Sequence, residues 1–350
     1  MKKRLAVLGV LVTCAALAAA LTGGSAVASK SPSATARGLG GQSSTNSVQS
    51  FAPPAACNPC LYYSGDFNPN DADANALANE QDAIVSNSQI YTPVTPDQSW
   101  LVTGLLENTL SQLTPTSAVW EIRTGVSEGN GGTVYASGSG TPTQTATGRS
   151  GFGFTEYTDF VTVSPSVLLH AGVTYWINVT PVCLVCVGRA FESNALPAGS
   201  AANRVGPPDV LNQSFWNSSF FGENFTNANN GGVFPLFSFG VKGTLATTLT
   251  VTKHLVSYAN DPAKFNLRID GTTYAVNVGD GGTTGAIVVT AGSHTVSETA
   301  GLNANLGNYT PRIQCSDGSA GYGTSLSGVQ VALNTQVTCV ITNTRKLFKA

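Results

Sequence analysis

From Cys57 almost to the C-terminus the chain is a succession of short apolar/polar alternations cut apart by Gly, Ser and Asn clusters. A strand sends alternate side chains to opposite faces, so each such run needs one face against a core. Val173-Thr174-Tyr175-Trp176-Ile177-Asn178-Val179 puts Val173, Tyr175, Ile177 and Val179 on one side, and Ala118–Arg123 does the same through Trp120 and Ile122. Further strands are predicted at Trp100–Leu106, Thr133–Ser137, Phe160–Val163 and Phe237–Val241. The breaks between them, such as Glu128-Gly129-Asn130-Gly131-Gly132 and Ser137-Gly138-Ser139-Gly140, are turn material. Asp71–Val85 offers the one stretch that could be a helix, and it is short and Asn-rich. Many short strands at turn-marked spacing predict an all-β chain built from sandwiches, jelly-roll-like in the larger part.

Composition agrees. Hydrophobic residues make up 42% of the 350, enough to fill cores, while charged residues make up only 10%, against about 25% in ordinary domains. Surfaces must then be built from Ser, Thr, Asn and Gly, as exported β-proteins build them. A net charge of −2 without a basic run leaves no electrostatic footprint for nucleic acid.

The N-terminus reads as a secretory signal over residues 1–28. Lys2-Lys3-Arg4 is basic, Leu5 to Leu21 is apolar, and Ala26-Val27-Ala28 fits a cleavage site. Cys14 lies inside the apolar stretch and is expected to leave with it. No later segment is long and apolar enough to span a membrane as a helix, so a secreted or cell-surface location is expected. Residues 29–56, rich in Ser, Ala, Gly, Thr and Gln, read as a flexible linker. A larger β-sandwich is expected over 57–243, a smaller one over 244–346, and a tail over 347–350.

Six cysteines remain: Cys57, Cys60, Cys183, Cys186, Cys315 and Cys339. In an exported chain disulfides are the default. Cys315 has the parity of Ile313 and Cys339 that of Ile341, so both look inward and form the expected pair. Cys57-Asn58-Pro59-Cys60 and Cys183-Leu184-Val185-Cys186 are also expected as disulfides rather than as a four-thiolate zinc site or a redox centre. Spacing leaves open whether they bond within or between the pairs.

The smaller region carries three polar residues on faces that are otherwise apolar. Lys253 shares the parity of Leu249, Val251 and Leu255; Glu298 that of Val296; Asn343 that of Val337, Cys339 and Ile341. An amine, a carboxyl and a carboxamide therefore point at one core. Burial disfavours the charged forms of both Lys and Glu, by up to about 3–5 pKa units when complete. A neutral amine is a nucleophile, and a protonated carboxyl can pass protons. On parity alone a buried Lys–Glu ion pair with Asn as a hydrogen-bond partner accounts for the same residues.

The order of these residues weighs on the choice. Leu249-Thr250-Val251-Thr252-Lys253, Ala291-Gly292-Ser293-His294-Thr295-Val296-Ser297-Glu298-Thr299 and Ile341-Thr342-Asn343-Thr344 resemble the prealbumin-like domains of bacterial surface proteins and pilins, the collagen-adhesin B-type or SpaA-like family, over residues 245–346. The resemblance implies a prealbumin-like β-sandwich in which Lys253 and Asn343 form an isopeptide bond assisted by Glu298. The larger region resembles, loosely, jelly-roll ectodomains of exported bacterial proteins, and no functional residue carries over.

Other candidates are weaker. Asp66-Phe67-Asn68-Pro69-Asn70-Asp71-Ala72-Asp73 has oxygen ligands at alternate positions but lacks the Gly and Glu of a calcium loop, with Asp71 and Leu77 in their places; it reads as turn, and no metal is expected. His170, His254 and His294 have no partner at metal spacing, and His254 falls on the face opposite Lys253. No nucleophile elbow, phosphate loop or zinc-protease motif occurs, so no cofactor is expected. Glu121, Glu128, Glu156 and Asp159 would serve a hydrolase only if two of them flanked a cleft. Trp216, Phe220, Phe221, Phe225, Phe234 and Phe237 read as core or loop anchors; exposed, they would suit a carbohydrate-binding protein. The expectation is thus a secreted or cell-surface, non-enzymatic structural or adhesive protein, its partner an unidentified surface protein or polysaccharide.

Overall fold

The computed structural model describes residues 36–40, 52–71, 73–195, 203–229, 236–257 and 261–346. The signal, residues 1–28, and the tail, 347–350, lie outside them. The described residues form strands and two short 3-10 turns and no α-helix, and no helix among them is long and apolar enough to cross a membrane.

Four sheets pack in two pairs. In the first pair an eight-stranded sheet faces a seven-stranded one. Their shared core joins Val102, Leu105, Val161 and Val241 of one sheet to Trp120, Ile122, Tyr175, Ile177 and Val179 of the other. The alternation read from the sequence is what supplies these residues. The fully apolar runs go further than alternation requires. All nine residues of Tyr175–Cys183 are buried, because Trp176 on the outer side packs with Tyr91, Val126, Phe215 and Phe225 in a second layer. The outer side of Trp100–Ser111 is likewise covered, around Leu110, Phe154, Phe191 and Phe237.

In the second pair a five-stranded sheet faces a four-stranded one. Leu249, Val251, Ile313, Val337, Cys339 and Ile341 meet Leu267, Ile269, Val296, Val329 and Val331. Thr248–Val256 runs parallel to Gln336–Arg345, so the first and last strands of this sandwich lie side by side. The all-β, two-sandwich expectation stands. Phe239–Leu245 belongs to the first sandwich through its pairing with Trp100–Ser111, so its last strand reaches two residues past Gly243. Ala246 N–H then donates to the Ser99 carbonyl at 2.8 Å, and Gln336 Nε2 reaches the same oxygen at 3.3 Å, which ties the second sandwich to the first.

Two local readings are corrected. Gly38–Gly40, inside the stretch expected as linker, is a strand paired antiparallel with Asn75–Leu77, and Ala55–Cys57 forms a 3-10 turn. Low apolar content did not prevent order there, because the hydrogen bonds come from an existing sheet edge. Asn75–Ala78, within the candidate helix, is a strand with all four side chains buried between neighbours. Tertiary pairing overrides a weak helical pattern at that length.

The structure joins Cys315 to Cys339 and closes each C-x-x-C on itself, Cys57 to Cys60 and Cys183 to Cys186. Cys315 and Cys339 are direct cross-strand partners, as their inward parity implied.

Candidate cross-link site

Lys253, Glu298 and Asn343 enter one interior from three strands. Lys253 sits on Thr248–Val256 opposite Ile341, and Asn343 lies two residues further along the neighbouring strand, opposite Leu255. Side chains two apart share a face, so Lys253 and Asn343 are diagonal neighbours on the inner side, with Cα atoms about 8 Å apart from strand spacing and rise. That is within the combined reach of an extended Lys and an Asn. Glu298 comes from the facing sheet, on Gly292–Ala300, where it pairs with Leu267.

All three are buried, Lys253 at 1%, Glu298 at 3% and Asn343 at 0% exposure. Lys253 Nζ donates to Glu298 Oε2 at 2.8 Å and to the Ile341 carbonyl at 3.3 Å. It also lies 4.4 Å from the ring centroid of Phe265, which offers its negative face to the amine. Burial lowers the Lys253 pKa from 10.5 to about 8, with Glu298 opposing the shift. About one amine in ten is then neutral at pH 7, far more than for a solvated lysine.

Asn343 is the anomaly. Neither its Oδ1 nor its Nδ2 has a hydrogen-bond partner, and Glu298 Oε1 has none either. A buried amide left unpaired costs about 1–3 kcal/mol, and native chains seldom tolerate one without a use for it. Sequence parity singled out these three residues. It did not single out Phe265: the alternation of Phe265, Leu267 and Ile269 marks it as core, but no local signal says that it will face Lys253. The strand carrying Lys253 is held at its free edge by the loop after Val278, since Lys253 N–H donates to the Gly282 carbonyl at 2.7 Å and its own carbonyl accepts from Gly281 N–H at 2.9 Å.

The other candidates fall elsewhere. Trp216 is buried at 6%, and its Nε1 donates to Ser88 Oγ at 2.8 Å and to the Ala78 carbonyl at 3.1 Å, so it is a core anchor. Phe225 and Phe237 are also core, while Phe220 is 40% exposed; Phe234 lies outside the described residues. Asp66 binds Arg149 and Tyr63, and Asp71 and Asn68 accept from backbone amides two residues on, so the oxygen-rich stretch is a run of turns. Glu156 and Asp159 are buried on opposite sides of one strand, and Glu121 is held by Arg123 and Tyr91, so these carboxylates do not flank a common cleft. Glu128 accepts from Asn227 N–H at 2.7 Å. His254 points outward to Asp280, whereas His294 is buried, with its Nδ1 2.7 Å from Asp270 Oδ2. His170 N–H donates to the Tyr175 hydroxyl at 3.0 Å.

No family model matches the chain, and no curated protein matches it. Among solved structures it is similar to an adhesin from Mobiluncus mulieris containing intramolecular disulfide, isopeptide and ester bond cross-links, at 10% identity over 75% of this chain and 100% of that one, TM-score 0.22. It is also similar to the major pilin from Streptococcus pyogenes, at 14% identity over 74% and 99% with TM-score 0.22, and to the pilus 2b backbone protein of group B streptococcus, at 12% identity over 87% and 98% with TM-score 0.16. Nothing about this chain follows from likenesses at these scores.

Proposed function

We propose that this chain is an exported structural or adhesive protein of the cell surface, whose second sandwich, from Thr248 to Arg345, is locked by an isopeptide bond between Lys253 and Asn343. The observation that carries the reading is the buried Asn343 amide, without partners, on the same inner face as an amine that burial has partly deprotonated. Neutral Lys253 Nζ attacks Asn343 Cγ, and the Nζ–Cγ bond forms as the Cγ–Nδ2 bond breaks. The nitrogen gives up its proton, Nδ2 gains one, and ammonia leaves. Glu298, already at 2.8 Å from Nζ, is the group placed to take the first proton and return it to the leaving nitrogen. The product amide keeps its oxygen as an acceptor and removes the unpaired Nδ2 altogether.

Export is supported by the basic and apolar N-terminal sequence and by three disulfides, which persist in oxidising surroundings. A structural role follows from what such a bond does. It ties the first strand of the sandwich to the last, so pulling on the chain ends cannot peel the sheet. The two-part division, a larger jelly-roll-like sandwich for contacts and a smaller locked spacer, belongs to the same reading.

Intact mass tests it. The purified protein is expected to be lighter than its disulfide-bonded sequence by one ammonia, with Lys253→Ala and Asn343→Ala both at full mass. A wild-type protein at full mass overturns the cross-link.

A pH signature follows in Asn343→Ala, where Lys253 stays a free amine. Its folded pKa of about 8 lies below the 10.5 of the unfolded chain, so the folded state binds fewer protons between those values. Stability of that sandwich therefore rises as pH climbs from about 8 toward about 10.5. The cross-linked wild type has no amine to titrate and lacks this rise. Melting curves of the two proteins at about pH 7.5 and about pH 10 compare them; equal pH dependence in both contradicts the account.

A further inference from the structure

The larger sandwich buries carboxyl groups that its arginines do not neutralise. Arg149 is bonded to Asp66 and Glu156, and Arg189 to Glu80. Glu107, Glu192 and Asp159 sit apart from these pairs, at 1%, 3% and 0% exposure. Glu107 lies on Trp100–Ser111 directly opposite Asp159, and Glu192 on Ala190–Ser193 opposite Thr109.

Between the two glutamates stands the Asn79 amide. Its Nδ2 contacts Glu107 Oε2, Glu192 Oε2 at 3.2 Å and the Val179 carbonyl at 2.9 Å. An amide nitrogen has two hydrogens, and here it meets three acceptors. Thr180 Oγ1, at 2.9 Å from Asn79 Oδ1, sets which end of the amide faces the acids. Turning the amide over would place its oxygen against both carboxyls and require a proton on each. Glu107 Oε1 and Asp159 Oδ1 have no partner at all. The arrangement is short of hydrogens, and a carboxyl that carries its own proton supplies one.

We propose that Glu107 and Glu192 share a proton in the folded protein at neutral pH, so that the larger sandwich is tightened by acid and loosened by alkali. The groups around the pair act in that direction. Burial raises Glu107, and the neighbouring charges of Glu192 and Asp159 raise it further, with only Asn79 opposing. Burial raises Glu192, again opposed by Asn79. Asp159 is pushed up to about 6 by burial, against Thr109 and Gln144. On the adjoining turn Glu80 is pushed up to about 8 despite Arg189. From the facing sheet, Val179 presents only its carbonyl to Asn79.

A carboxyl whose folded pKa lies above its unfolded value contributes stability that is complete below the unfolded pKa and lost as pH rises through the folded one. Asp159 completes most of its contribution near pH 6, and above it Glu107 and Glu192 act together with Glu80, which is pushed up to about 8. One linked proton changes the unfolding constant about tenfold per pH unit. Urea unfolding read by tryptophan fluorescence between about pH 6 and about pH 8 is expected to show at least that slope in the wild type. Glu107→Gln and Glu192→Gln, which keep the shape of the protonated acid, are expected to reduce the slope by about tenfold per unit, leaving the part that Glu80 supplies. A slope untouched by both glutamine variants overturns the proposal. Infrared spectra serve if a variant fails to fold: the native wild type near neutral pH is expected to show the C=O stretch of a protonated carboxylic acid, and its absence is equally fatal.

Discussion

Asn343→Ala is expected to lower the melting temperature of the smaller sandwich by on the order of 20–30 °C. The bond it removes closes a loop of roughly ninety residues, and closing a loop of that length is worth about 4–5 kcal/mol through the unfolded chain. Each kcal/mol moves the midpoint of a domain this size by about 4–8 °C. The sign of the effect is itself diagnostic. Without a cross-link, Asn343 is a buried carboxamide with neither polar atom paired, and truncating it to Ala would be close to neutral or stabilising. Calorimetry separates the outcomes, and a variant that melts at or above the wild-type temperature rules the bond out. All four tryptophans, Trp100, Trp120, Trp176 and Trp216, lie in the larger sandwich, so fluorescence reports that part and leaves the smaller one to be followed by heat capacity.

Arg149→Met is expected to cost the larger sandwich about 3–5 kcal/mol, because it strands buried acids without their cation. Arg149 is 4% exposed; its Nη1 meets Asp66 Oδ2 at 2.6 Å and its Nε meets Glu156 Oε2. Glu156 keeps Ser193 Oγ at 2.7 Å and Thr147 Oγ1 at 2.9 Å as donors, which soften the loss but do not replace a charge. Burial already raises the Glu156 pKa with Arg149 opposing, so without the arginine it rises further and the acid folds neutral. The penalty should therefore shrink toward low pH, where the proton costs nothing to acquire. Adding Asp66→Asn and Glu156→Gln to the Met variant should restore most of the loss, as replacing a whole buried ionic group often does. Denaturation followed by tryptophan fluorescence measures all three proteins; a loss under about 1 kcal/mol would mean that water already solvates this pair.

These sites differ in how far they could be read in advance. Lys253, Glu298 and Asn343 were visible because each breaks a period-2 apolar face, and parity is a property of a few neighbouring residues. Glu107, Glu192 and Asp159 gave no such signal. Glu107 stands in a run, Leu105-Leu106-Glu107-Asn108-Thr109, that is buried on both faces, so its burial depends on the layers above and below the sheet. Trp216 shows the same limit, since only the layer around Ala78 and Ser88 decides that its ring is core.

By itself the sequence determined that the described residues from Cys57 onward are built of strands, that one face of each strand in the smaller sandwich is apolar, and that an amine, an acid and an amide share that inner side. These are consequences of alternation and of turn residues, which act over a handful of positions. Only the tertiary structure decided that each C-x-x-C closes on itself, that Gly38–Gly40 joins a sheet, that Asn343 is left without partners, and that carboxyl groups of the larger sandwich such as Glu107, Glu156 and Glu192 are sealed inside it. Pairing between distant strands sets those outcomes, and the free energy of burial depends on what lies on the far side of each sheet, which no local pattern records.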